Sequence, residues 1–239
     1  MSRADVYINV AILACLLTPG VYPAMVDAMR PSALEQTTFS ASADADVFEL
    51  SPNTNFGGAL TLRISPISGQ NLRSLVRFNI TGIEHVVSAT MEIVALSFGG
   101  TPASRTYEVH RIAADWNEGN VTWNNQPAVE NATLVSTVFD LSVGTPINHT
   151  YDVTDIVREW ASGTPDYGVR IRDSAEDSGD TTTVYRSRQS VEDPMLIVVW
   201  RSSSIGNVDL TGLLGLIAFI VIVTGGVVFI MTFKLRRDS

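Results

Sequence analysis

Between residues 46 and 200 the chain alternates apolar and polar positions in short runs broken by Gly, Pro, Asn and Ser. Successive side chains of a strand point to opposite faces, so this period of two predicts strands with one face buried. The run SLVRFNI, Ser74 to Ile80, puts Val76, Phe78 and Ile80 on one face and Leu75 with Arg77 on the other. The Val76 face is the core face. Further strands are predicted at 46–50, 60–64, 86–98, 105–112, 134–141, 147–153, 167–172, 183–187 and 195–200. One helix interrupts them: Thr154 is placed to cap it with Asp155 just inside, Ile156, Val157 and Trp160 form its apolar face, and Gly163 stops it. Many short strands with turn chemistry between them and no alternating helices indicate an all-β fold. The expected architecture is an antiparallel jelly-roll β-sandwich with one short helix plugging an end.

A different pattern governs the two ends. Leu210 to Phe233, LTGLLGLIAFIVIVTGGVVFIMTF, carries no charge. A helix of that length reaches roughly 36 Å, enough to cross a hydrocarbon core of about 30 Å. Lys234, Arg236 and Arg237 follow directly, and short basic flanks stay cytoplasmic. The expectation is a single transmembrane helix at 210–233 and a cytoplasmic tail at 234–239. Val6 to Leu17 is a shorter apolar run, and cleavage after Ala28, with Val26 two positions before it, meets the small-residue rule, which reads as a signal peptide over 1–28 or a short N-terminal anchor. A flexible, Ser- and Thr-rich leader is expected at 29–43, a sandwich module at 44–200 and a linker at 201–209. The module would then be extracellular on a single-pass cell-membrane protein.

Charge narrows the partners. Pro31 to Asp209 holds eleven Arg, no Lys and twenty-two Asp plus Glu, a surface that repels a phosphate backbone and argues against nucleic acid. The single cysteine, Cys15, lies in the N-terminal apolar run, so the module relies on its core rather than on disulfides.

Four segments carry a family resemblance: ADVFELSPNTNFGG (Ala45 to Gly58), RSLVRFNITGI (Arg73 to Ile83), VHRIAADWNEGNVTWNNQPAV (Val109 to Val129) and YDVTDIVREWASG (Tyr151 to Gly163). Their order and spacing resemble the DNRLRE domain, also grouped as carbohydrate-binding module family ninety-six, and Trp116, Glu118, Val121, Thr122, Trp123 and Pro127 carry the most specific motif. The resemblance implies a non-catalytic β-sandwich whose relatives include binders of acidic polysaccharide such as alginate. Asn79 stands where the family commonly has Asp, and no catalytic domain is expected among these 239 residues.

The candidate chemistry follows. Arg170 with Arg172, and Arg186 with Arg188, fall on common strand faces and are candidates for pairing sugar carboxylates, alongside Arg63 and Arg77. Tyr185 is a candidate stacking platform, with Tyr107 and Tyr167 as alternatives. Trp116, Glu118, Thr122, Trp123, Pro127 and Trp160 are read as motif residues with structural roles, although Trp116 and Trp123 also offer flat rings to a sugar. Asp44, Asp46, Asp173 and Asp177 supply oxygens that could hold calcium, without EF-hand spacing. Sequons place candidate glycosylation at Asn79, Asn120, Asn131 and Asn148, with Asn120 and Asn131 expected in loops and Asn79 in a strand. His85, His110 and His149 lie far apart and no nucleophile motif is present, so no catalysis is expected. Two functions remain: a membrane-anchored polysaccharide-binding module, or a structural surface protein whose sandwich self-associates.

Overall fold

The computed structural model describes residues 33–101 and 104–202, with the backbone alone for 131–134. The expected signal peptide, membrane span and tail lie outside the described residues, among which no helix is long and apolar enough to cross a membrane. Ala33–Ser202 forms one compact unit. It contains, in order, β1 (Leu34–Phe48), β2 (Thr61–Ile64), β3 (Leu72–Phe78), β4 (His85–Gly99), β5 (Ser104–Ile112), β6 (Val129–Asp140), β7 (Ile147–Asp152), α1 (Thr154–Ala161), β8 (Val169–Asp173), β9 (Thr182–Arg186) and β10 (Met195–Arg201).

All pairings among these strands are antiparallel, and they build a two-layered β-sandwich. In sheet 1, residues 90–92 of β4 pair with β7 and β10 at once, so those strands occupy opposite edges of β4. Farther along β4, β9 follows β10 on the same edge and in turn carries β2. Sheet 2 runs β1, β3, β8, β5, β6. The first half of β1 pairs with β10 and the second half with β3, with the register broken between Ala41 and Ala43. A bulge bends a strand, which is how one strand serves two layers. Between the layers, Leu62, Ile64, Met91, Ile93, Leu196 and Val198 of sheet 1 meet Val76, Phe78, Tyr107, Val109, Val169 and Ile171 of sheet 2 in one buried cluster.

Three expectations need correction. Residues 34–43 are not a free leader but the first half of β1. Its Ser- and Thr-rich composition conceals an alternation in which Thr37, Phe39 and Ala41 turn inward, and the Trp200 indole donates to Thr37 Oγ1 at 3.0 Å. Thr154 is not the helix cap but its first residue: the cap position is Val153, without a side-chain bond, while the Asp152 carboxylate accepts the Thr154 N–H at 3.0 Å. The helix still buries Ile156, Val157 and Trp160, and Gly163 follows it at φ +107.

The third correction positions the functional surface. Leu75 does not face solvent; it is fully buried in a second cluster with Ala45, Val47, Ile112, Trp116 and Val121. The cover comes from the loop 113–128 between β5 and β6, which folds back over the outer face of sheet 2. Trp116 lies 9% exposed, its indole donating to the Tyr167 carbonyl at 2.8 Å, and Asn55 Nδ2 ties down the Glu118 and Val121 carbonyls at 2.7 Å each. Gly57 is required at this seam, because a Cβ there would sit 2.0 Å from the Glu118 carbonyl oxygen. Gly168, at φ +84, is required for the same reason against the Val76 carbonyl.

Candidate functional site

Strand β8 alternates buried Val169, Ile171 and Asp173 with half-exposed Arg170 and Arg172, so both guanidinium groups lie on the outer face of sheet 2. Register then selects their neighbours. Arg172 stands opposite Glu108 and Arg170 opposite His110 on β5, while Leu75 of β3 flanks Arg170 on the other side. Arg73, two residues before Leu75, shares its face and reaches the loop.

The three arginines are not equally satisfied. Arg73 grips Glu176 with two bonds of 2.6 and 2.8 Å, lies 4.3 Å over the Trp123 ring and donates to Gln126 Oε1 at 3.0 Å. Arg172 pairs with Glu108 at 2.7 Å and reaches Glu176 at 3.3 Å. Among the described residues Arg170 hydrogen-bonds only to the neutral Gln126 Oε1, at 3.4 Å, and its Nε is buried with no partner. Three guanidinium groups thus meet two carboxylates, and the unmatched charge falls on Arg170. Burial, followed by repulsion from Arg73 and Arg172, pulls its pKa down to about 10, which leaves it cationic at neutral pH. Beside it, burial, with Arg170 and Arg172, holds His110 below the usual imidazole range even though Glu108 opposes this, so the ring is neutral. A patch with one unpaired, pre-positioned guanidinium can take one carboxylate in a bidentate pair.

The structure does not gather the other candidates here. Arg186 lies on sheet 1 and pairs with Glu192 at 2.9 Å; Arg188 follows β9 and holds Glu118 through two bonds of 2.6 Å. Arg63 is bound to Asp46, and Arg77 to Asp115 beneath Trp116. Tyr185 cannot serve as a platform: it is fully buried, its hydroxyl 2.8 Å from His149 Nδ1 and 3.4 Å from Tyr151. Strand β9 turns Thr183 and Tyr185 inward, as it does Ser187 just after its end, and Val184 and Arg186 outward, inverting the usual polarity. Tyr107 is likewise core, and Tyr167 is half-buried with its carbonyl engaged by Trp116. Pro127 and Trp160 are buried, and Thr122 donates its N–H and hydroxyl to Asn125 Oδ1 at 2.6 and 3.1 Å.

Nor do the four aspartates form a calcium site. Asp44 and Asp46 lie within β1, almost wholly buried. Asp44 accepts the Arg188 N–H, Asp46 binds Arg63, Asp173 makes a bidentate pair with Arg105 at 2.7 Å, and Asp177 accepts from Asn71 at 2.8 Å. Among the described residues no group of three or more His, Cys, Asp or Glu is arranged to hold a metal ion.

The sequons also shift. Strand β3 ends at Phe78, leaving Asn79 outside the strand and exposed, whereas Asn131 falls within β6 instead of a loop. Asn120 is exposed in the loop, and Asn148 is exposed on β7. Beside Asn120 the loop forms an open cleft of about 330 Å³ lined by Asp115, Trp116, Asn117, Asn120, Val121 and Asn125.

Arg73, Gln126, Glu108 and Glu176 were not foreseen as site residues. The period of two put Arg170 beside Arg172, but cross-strand register and the fold of a distant loop supply their neighbours. No curated protein matches the chain. The family model for carbohydrate-binding module family 96 matches residues 35–199, more than half of the 239 residues, and spans both sheets, the arginine patch and the loop that covers it. The chain therefore belongs to carbohydrate-binding module family 96.

Proposed function

We propose that this module binds an acidic polysaccharide on the outer face of sheet 2, non-catalytically, with Arg170 pairing a uronate carboxylate. The observation that carries the reading is the half-exposed guanidinium of Arg170, which meets no carboxylate among the described residues and whose Nε is buried without a hydrogen bond, flanked by Arg73 and Arg172 and held by Gln126. A carboxylate arriving there needs no existing ion pair to break. The uncharged stretch 210–233 with its basic flank supports display of the module on the outside of a cell membrane through a single span. In that reading the polymer belongs to the cell envelope or to the surroundings.

The test is calorimetric titration of the purified full-length chain with polymannuronate, polyguluronate and a neutral glucan. Binding to at least one polyuronate, weakened by salt, and an approximately tenfold or greater loss in Arg170→Gln are expected, since a bond to a charged group contributes about 1.5–3 kcal/mol. Arg186→Gln, on the other sheet, should bind as the parent does. Unchanged affinity in Arg170→Gln, or no polyuronate binding by protein with an intact thermal transition, overturns the reading. Protease added to intact cells should release the module; protection of it would overturn the outside orientation.

A further inference from the structure

We infer that the cleft formed by Asp115, Trp116, Asn117, Asn120, Val121 and Asn125 is a second binding seat, for a neutral hydroxyl-rich sugar ring, separate from the arginine patch. Its volume, about 330 Å³, is at the small end of ligand pockets and suits a single ring.

The bonding of each lining side chain defines what is left to offer. Asp115 Oδ1 accepts from Arg77 Nη2 at 2.6 Å and from the Trp116 N–H at 2.9 Å, which leaves Oδ2 without a donor among the described residues. The guanidinium and the Trp116 N–H hold this carboxyl below its ordinary range, so it remains an acceptor. Asn117 Oδ1 accepts the Gly119 N–H at 2.9 Å and frees its amide nitrogen. Asn125 is largely committed: its oxygen accepts twice from Thr122 and its nitrogen donates to the Asn120 carbonyl at 3.0 Å, which leaves one N–H. The Asn120 side-chain amide has no hydrogen bond among the described residues and is exposed. The cleft thus presents a carboxylate oxygen, an amide donor and a whole amide above the nearly buried Val121 and Trp116.

That set discriminates among ligands. A calcium ion needs six to eight oxygens, but the Asn117 and Asn125 oxygens are occupied, which leaves one carboxylate oxygen and the Asn120 amide oxygen. An anion would meet the Asp115 charge. Adjacent hydroxyls, each donor and acceptor at once, match a carboxylate next to amides. The seat is also fixed before any ligand arrives. Arg77 holds Asp115 and the Trp116 carbonyl, Tyr167 holds the Trp116 indole, and Asn55 holds the carbonyls of Glu118 and Val121.

The test is saturation-transfer NMR on the full-length chain, made in a bacterium that does not N-glycosylate and kept in a detergent without a sugar headgroup. The probes are methyl β-glucoside, methyl β-galactoside and methyl α-mannoside at millimolar concentration. Saturation transfer to at least one is expected, unchanged by chelator and abolished in Asn120→Ala, whose side chain anchors nothing in the fold, and in Asn117→Ala. Arg170→Gln should keep the sugar signal, and Asn120→Ala should keep polyuronate binding, so failure at one site is read apart from failure at the other. No transfer to any of the three probes, full transfer in Asn120→Ala with an unchanged thermal transition, or loss on chelation overturns the inference.

Discussion

Glu118 and Arg188 join the loop over sheet 2 to the segment that follows β9 through two hydrogen bonds of 2.6 Å. The same carboxylate accepts the Asp44 N–H at 3.1 Å and the Gln189 side-chain amide at 2.9 Å, so one glutamate ties together β1, the loop and the chain before β10. The family motif residue is therefore a brace. Both partners are only partly exposed, which keeps solvent from replacing the bonds cheaply.

Glu118→Gln keeps the shape but turns an amide N–H₂ toward donors. The expected loss is about 2 kcal/mol in urea unfolding, with a melting temperature lower by roughly 4 °C or more. A shift within error would mean that the loop is held by Trp116 and Asn55 without the brace.

Val76, Phe78 and Ile80 were legible because alternation along one strand is local information, and all three pack on the main core. Leu75 was not, because its cover is Trp116 and Val121 on a loop some forty residues away. Tyr185 was misassigned for a related reason: alternation says that Thr183, Tyr185 and Ser187 share a face but not which face is buried, and here the polar-looking face is inside. Arg170 and Arg172 were recognised as a pair. Their difference rests on Glu108, Glu176 and Gln126, brought from three separate elements.

Asp44 sets a pH response at the brace. Burial, with a smaller push from Glu118 and Asp46, raises its pKa to about 7 against the opposing Arg188 contacts. A carboxyl more basic in the folded state than in the unfolded chain stabilises fully below its ordinary value near 4. That contribution is lost as pH rises toward 7. Asp44→Asn removes the dependence, so between pH 5 and pH 8 the variant should gain on the parent by about 1 kcal/mol or more. Parallel urea curves at the two pH values measure it, and an equal gap at both would refute it.

His149 acts in the opposite sense. Its ring stacks on Phe139 with centroids 3.8 Å apart and bonds Tyr185, and burial lowers its pKa to about 4. A base that resists protonation when folded contributes fully above its ordinary value near 6.5, and the contribution fades as pH falls to about 4. His149→Phe keeps a stacked ring and should lose less stability than the parent between pH 6.5 and 4.5. It starts lower at pH 7, because Tyr185 forfeits a partner. Thermal melts across that window report the slope; a parallel decline in both proteins would remove His149 from the acid response.

The fully buried Asp46 offers the sharpest test of the charge arrangement. It accepts the Arg63 N–H at 2.6 Å, Arg63 Nε at 2.7 Å and Ser74 Oγ at 3.3 Å, while the Arg63 guanidinium lies 5.2 Å from the Phe56 ring centroid. Burial nonetheless raises its pKa to about 6, since desolvation outweighs the pairing. Arg63→Met leaves that carboxylate without its cation, and breaking a buried pair from one side costs about 3–5 kcal/mol. The cost should be greatest at pH 8 and shrink at pH 5, where Asp46 takes up a proton and needs no counter-charge. Combining Arg63→Met with Asp46→Asn removes the stranded charge, so the double variant should be more stable than Arg63→Met alone at pH 8. Urea unfolding of the parent, both single variants and the double variant at the two pH values closes the cycle. Additive losses, or an Arg63→Met cost independent of pH, would show that the Arg63 stem packing on Phe56, and not the ion pair, carries the effect.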